Sequence, residues 1–385
     1  MKKLIILLSL VICLSSHARG IKVDNRLPAG NIEFERVSND TVFVHQELRD
    51  TQGDWFYWAF RIRGAQGRTL TFVFTQSRAV GVRGPVVSLD RGKTFEYGPV
   101  TNLSRHTFTY TFPKNVRQVW MCECHPYGPE RWKAFVKRLG GVPFEAGTLC
   151  KSRKGRDLPC FRIGSGPVGI VLSARHHCSE ASASYVLEGI VAAFAEKSGL
   201  GEMLRVRFTL WAVPFIDLDG AVEGDQGKNR QPHDHNRDYT EFLYPETRAL
   251  ANLLKQVDPK VFLDLHAPGL VGYTHEFIYC PLSDPAIGVH EDKETQFSAL
   301  VEKNQEGNLR YKVSDDLPFG KAWNTSANYS VGSSAKKWAL QNIRGIDISR
   351  TMEFPFANAN GAVVTPEALR KFGHGMARAL LEMYE

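Results

Sequence analysis

The sequence predicts an α/β fold, a mixed sheet flanked by helices, preceded by a small antiparallel β-sandwich. Three observations carry this expectation. Strand-like and helix-like runs alternate after about residue 119, as in a sheet covered by helices. The preceding stretch from about Gly20 reads as strands and turns only. Two of the later strands are apolar almost throughout, which is the pattern of strands buried on both faces. At 385 residues the chain is also too long for one ordinary core.

The elements follow in order. Lys2 and Lys3 precede an apolar run from Leu4 to Leu14, and Ser16-His17-Ala18 places small residues where a signal peptidase reads. Residues 1–18 are therefore expected to be a signal peptide, because the run is too short to anchor in a bilayer. The expected protein is secreted or periplasmic, without stable membrane insertion. Residues 20–118 form the expected β-sandwich, with strands in Trp55–Arg63, Thr69–Phe74 and His106–Phe112. Residues 119–385 form the expected catalytic region. Its strands are Val168–Ser173, Phe208–Phe215 and Val261–His266; its helices are Ser184–Lys197, Pro245–Val257 and Thr365–Tyr384. Such sheets place their sites at the carboxyl ends of strands.

Composition narrows the function. The net charge is +7, but Lys and Arg are scattered rather than clustered, which argues against a nucleic-acid partner. Beyond the leader lie Cys122, Cys124, Cys150, Cys160, Cys178 and Cys280. A cysteine zinc site needs two close pairs, and only one C-x-C occurs. Pairing in an oxidising compartment stays open, as does the oligomeric state.

Four constellations carry chemistry. His177 and Glu180, three apart after a buried strand, can converge on one cation as the chain turns into a helix. His266 ends a strand, where a third ligand could sit. Asn236-Arg237 can grip a carboxylate, the guanidinium giving two parallel donors and the amide a third. Asp234, two residues earlier, could accept the second N–H of a ligating imidazole. Glu353 stands among apolar residues, where desolvation would suit it to general-base work.

In their order along the chain, His177-x-x-Glu180, then Asn236-Arg237, then His266, then Glu353, the four resemble the zinc carboxypeptidases related to carboxypeptidase A. The likeness is nearest to the cytosolic-carboxypeptidase-like branch, with its N-terminal β-sandwich. It covers roughly residues 120–385. Arg175-His176-His177-Cys178-Ser179-Glu180 resembles the family's first zinc motif, and Val213–Gly220 its strand and Asn-x-Asp-Gly turn, with Asp217 in place of Asn. Asn236-Arg237, Asp264-Leu265-His266 and Thr351-Met352-Glu353 match later motifs.

The resemblance implies a secreted metallocarboxypeptidase with one Zn2+ per chain, held by His177, Glu180 and His266. It implies a zinc-activated water, with Glu353 as general base, and a peptide substrate with a free C-terminus gripped by Asn236 and Arg237. The family's oxyanion-stabilising Arg has no direct counterpart, since Gly227 falls at that place. Arg230 is the expected substitute, with Lys228 as the alternative. Tyr329 is assigned to the family's mobile Tyr. Lys337, 16 residues before Glu353, is assigned to recognition of an acidic C-terminal side chain. A deacylase or amidase acting on cell-wall peptides, and a non-catalytic binding protein, are the alternatives.

Overall fold

A computed structural model describes residues 20–270, 276–287 and 291–385. The expected signal peptide, residues 1–18, lies outside the described residues.

The N-terminal region is two five-stranded sheets packed face to face. The first orders its strands Lys22–Asp24, Ala59–Arg63, Gln118–Cys122, Val86–Ser88 and Glu96–Tyr97. The second orders Glu33–Ser38, Thr41–His45, Thr69–Phe74, Thr107–Thr111 and Val100–Thr101. Neighbours run antiparallel except Thr41–His45 and Thr69–Phe74, which are parallel, with Val42 opposite Phe72. Alternation along Thr69–Phe74 turns Leu70, Phe72 and Phe74 inward. They meet Trp58, Phe60 and Phe108; the ring centroids of Phe72 and Phe108 lie 4.9 Å apart, the offset-stacking range.

Two details differ from the sequence expectation. Gln118–Cys122 pairs with Ala59–Arg63 and Val86–Ser88, so the β layer runs past residue 118. The aromatic run starting at Trp55 becomes strand only at Ala59. Tyr57 spends its backbone N–H and C=O on the side chain of Gln226 instead of on a neighbouring strand.

The second sheet has six strands, in the order Phe144–Lys151, Asp157–Ile163, Phe208–Val213, Val168–Ala174, Val261–His266 and Ile348–Glu353. The last four are mutually parallel, while the first two form an antiparallel hairpin on one edge. Every residue of Val261–His266 and Ile348–Glu353 is buried, including the polar Asp264, His266, Ser349, Arg350, Thr351 and Glu353. Helices Ala181–Ala195, Gly199–Arg207, Glu291–Asn304 and Pro366–Met383 pack together, and Pro245–Val257 and Ala335–Asn342 form a second group. Among the described residues no helix is long and apolar enough to cross a membrane, and the six cysteines are free thiols.

Candidate metal centre

Parallel strands bring their carboxyl ends to one edge, and the candidate residues gather there. His266 is the last residue of its strand and stands opposite Glu353, the last residue of the next. After the strand Val168–Ala174 the chain turns sharply at Arg175, whose φ is +63°. That guanidinium fixes the turn, with Nε donating to Cys178 O at 2.6 Å and Nη1 to Tyr127 O at 2.9 Å. The turn projects His177 and Glu180 beside His266 just before the helix begins at Ala181.

Glu180 lies between the imidazoles. Its Oε1 is 2.7 Å from His177 Nδ1, and its Oε2 is 2.8 Å from His266 Nδ1. The ligand-capable atoms of these three residues lie within 4.8 Å of one another. Both histidines turn Nδ1 toward the cluster and leave Nε2 to outer partners. His266 Nε2 is 2.8 Å from Asp264 Oδ2. Asp264 Oδ1 also accepts from Ser173 Oγ and pairs with His176 Nδ1, both at 2.7 Å. His177 Nε2 is 3.5 Å from Asp234 Oδ1. Two nitrogens and one carboxylate, each imidazole backed by a second carboxylate, are a donor set that fits a zinc ion. A second triple, His176, Asp264 and His266, shares a residue with the first. Its His176 is fully buried and closed off by the Tyr239 hydroxyl, 2.7 Å from Nε2.

Electrostatics separates the two carboxylates. Burial raises the Glu180 pKa, but His177 and His266 outweigh it and hold the carboxyl well below its ordinary range. Glu353 is pushed up to about 7, by burial first and then by the Glu180 charge, against the opposing pull of His266. One carboxylate is therefore set to remain ionised and the other to exchange a proton near neutrality.

Asn236 and Arg237 occupy the short turn His235–Arg237, capped by Asp234, whose Oδ1 accepts from Asn236 N at 3.0 Å. Asn236 Nδ2 lies 3.4 Å from His266 Nε2, so Asn236 borders the cluster directly and Arg237 follows it in the turn. Arg237 is held by the carbonyls of Asn328 and Asn236, at 3.1 and 2.8 Å. Its guanidinium carbon sits 4.9 Å above the Tyr329 ring. The Tyr329 hydroxyl donates to Asn324 Oδ1 at 3.0 Å. Tyr329 and Lys337 line one cavity, together with Leu282, Ile287 and Phe319.

Arg230 requires a correction. Its guanidinium is held by Asp50, Asp217 and Asp225 at 3.0, 2.6 and 2.9 Å. Three carboxylates leave it no freedom to meet a developing anion. Lys228 instead places Nζ 3.3 Å from His177 Nε2. Sequence reasoning placed Asp264 in the motif of the third ligand but gave it no role of its own. Two residues before His266 on a strand, it must share that residue's face, and this was the available signal.

No protein-family model matches the chain. An uncharacterised Zymomonas mobilis protein is 22% identical over 386 residues, 95% of this chain and 97% of that protein. Cytosolic carboxypeptidase 3 of Bos taurus is 23% identical over 304 residues, 72% of this chain but only 29% of that protein. The chain thus spans less than a third of that enzyme's length. A metallo-carboxypeptidase from Burkholderia cenocepacia superposes with a TM-score of 0.78 at 20% identity, over 94% of this chain and 98% of that one. A Pseudomonas aeruginosa metallo-carboxypeptidase, solved with (2-guanidinoethylmercapto)succinic acid, gives 0.75 at 19% identity over 94% and 98%. From the β layer to the last helix, this chain has the fold of the metallo-carboxypeptidases.

Proposed function

We propose that the protein is a zinc metallocarboxypeptidase that removes C-terminal residues from peptides. The observation that carries this reading is the juxtaposition of Asn236, the neighbour of Arg237 in the turn, with His266, and of His266 with Glu353. A carboxylate clamp beside a metal triad and a proton-exchanging Glu selects the last peptide bond, because only a chain end offers that anion. His177, Glu180 and His266 would hold the zinc, which when bound would supply a Lewis acid able to polarise the carbonyl and lower the pKa of water toward ~7. Asn236 and Arg237 bind the terminal carboxylate through charge-assisted hydrogen bonds. Glu353 accepts the proton of the attacking water on its carboxylate and returns it to the departing amine. Lys228 offers positive charge to the oxyanion.

The assignment of the cation separates two variants. Lys228→Met lowers kcat by ~100-fold with little loss of stability. Arg230→Met leaves three carboxylates without their shared cation, and costs about 3–5 kcal/mol of stability. Chemical denaturation beside steady-state kinetics distinguishes them. Reversed effects would return the role to Arg230.

The side-chain preference rests on the cavity behind Tyr329. Lys337 lines it, and its neighbour Lys336 is buried there with Nζ donating to Pro281 O at 2.7 Å. We read this as a preference for an acidic C-terminal residue. Blocked dipeptides ending in Glu, Phe and Lys test it, with release from Glu fastest; faster release of Phe or Lys removes the assignment. The reading includes export, supported by the leader-like residues 1–18. A mature protein beginning at Arg19 is the expected result of N-terminal sequencing, and an intact Met1 overturns it.

A further inference from the structure

We infer that the N-terminal β layer is a working part of the catalytic site: its Asp50 is a positioning residue that holds the loop presenting Lys228 to the metal cluster. The inference deepens the carboxypeptidase reading above and rests on it for the role of Lys228.

The loop Gly224–Arg230 is clasped between the two layers. Gly224 has φ +78°, and a Cβ there would come within 2.4 Å of Ala29 O in the β layer. Gly227 has φ +77°, and a Cβ there would come within 2.4 Å of Cys178 N and 3.1 Å of His177 C. The loop therefore meets the β layer and the metal motif with bare backbone, and glycine is the residue that permits both approaches.

Polar contacts then fix its register. On the metal side, Ser179 Oγ donates to Gln226 O at 2.8 Å and Cys178 Sγ to Asp225 O at 3.1 Å. On the other side, the fully buried Gln226 accepts from Tyr57 N at 2.8 Å. Its Nε2 donates to Tyr57 O at 2.9 Å and Glu47 O at 3.1 Å. Asn31 Nδ2 donates to Gly224 O at 2.7 Å, and Gln52 N donates to Asn229 O at 3.0 Å.

Asp50 ties these contacts together. Its Oδ1 accepts from Gln226 N at 2.9 Å, and its Oδ2 accepts from Gly227 N at 2.8 Å and Arg230 Nε at 3.0 Å. A single carboxylate thus grips the chain on both sides of Lys228. An ammonium on a flexible four-carbon stem is only as well placed as the backbone beneath it. A misplacement of about 1 Å can cost ~100-fold in rate. The same loop also reaches the outer shell of the metal, since Asn229 N donates to Asp234 Oδ2 at 3.3 Å.

The test compares wild type, Asp50→Ala, Asp50→Asn, Lys228→Met and the Asp50→Ala/Lys228→Met double variant, as full chains loaded with zinc. Asp50→Ala is expected to lower kcat about tenfold with KM nearly unchanged, and to add almost nothing on the Lys228→Met background. Asp50→Asn, which keeps one acceptor oxygen, falls between. An equal loss on both backgrounds, or an unchanged kcat, would overturn the proposal. Amide hydrogen exchange gives a readout independent of turnover. In Asp50→Ala the amides of Gln226 and Gly227 exchange faster while those of the central strands do not, and unchanged exchange at the loop overturns the positioning role. A wild type without carboxypeptidase activity whose loop nevertheless loosens in Asp50→Ala sinks the enzymatic reading and the role of Lys228, while the structural clasp stands.

Discussion

Glu353→Gln lowers kcat by roughly a thousandfold or more, within the range that a positioned general base contributes, while KM changes little. The argument is geometric before it is electrostatic. Glu353 ends its strand directly opposite His266, so it stands beside the cluster of His177, Glu180 and His266 that could hold a metal. Burial keeps its pKa near 7, the value at which a carboxyl both accepts and releases a proton at working pH. Gln preserves the shape and hydrogen-bonding reach but cannot take the proton. Steady-state kinetics on a blocked dipeptide, with metal content checked in parallel, measures the effect. A kcat within tenfold of wild type would move the base elsewhere.

Removing the metal is the second large effect. A chelator abolishes turnover and added zinc restores it. The melting temperature also falls, because a ligand that binds only the folded chain at a thousand times its Kd stabilises it by about 4 kcal/mol. The loss should be traceable to the outer carboxylates. Asp264 hydrogen-bonds His266 Nε2 and at the same time accepts from Ser173 and pairs with His176, so it sets the ring orientation of a ligand. Asp264→Asn is therefore expected to weaken zinc affinity by about 10–100-fold. Zinc titration followed by calorimetry reads this directly, and unchanged affinity would reduce Asp264 to a packing role.

The legible parts of the sequence were those where one physical pattern dominates. Val261–His266 and Pro245–Val257 lie within the expected bounds because an apolar run and an amphipathic period leave little ambiguity. The clustering of His177, Glu180 and His266 was legible because a His and a Glu three apart at a strand-to-helix turn have few other uses in combination with a strand-end His. The edge hairpin was not. Four consecutive residues of Phe144–Lys151, Glu145 to Thr148, are exposed, so that strand lacks the apolar signature of its buried neighbours. Arg230 misled for a related reason. Charge and proximity in sequence favoured it, but three aspartates, one of them Asp50 from the β layer, claim its guanidinium. A contact across 180 positions leaves no local trace in a single sequence. The same holds for the clasp of Gln226 by Tyr57, 169 positions away.

The central claim is that the terminal carboxylate decides which bond is cut. A matched pair of blocked peptides, identical except that one ends in a free carboxylate and the other in an amide, puts it to the most direct measurement. The kcat/KM for the free acid should exceed that for the amide by at least about 100-fold, the value of a charged hydrogen-bonded pair worth roughly 3 kcal/mol. Equal hydrolysis of the two peptides would contradict the account.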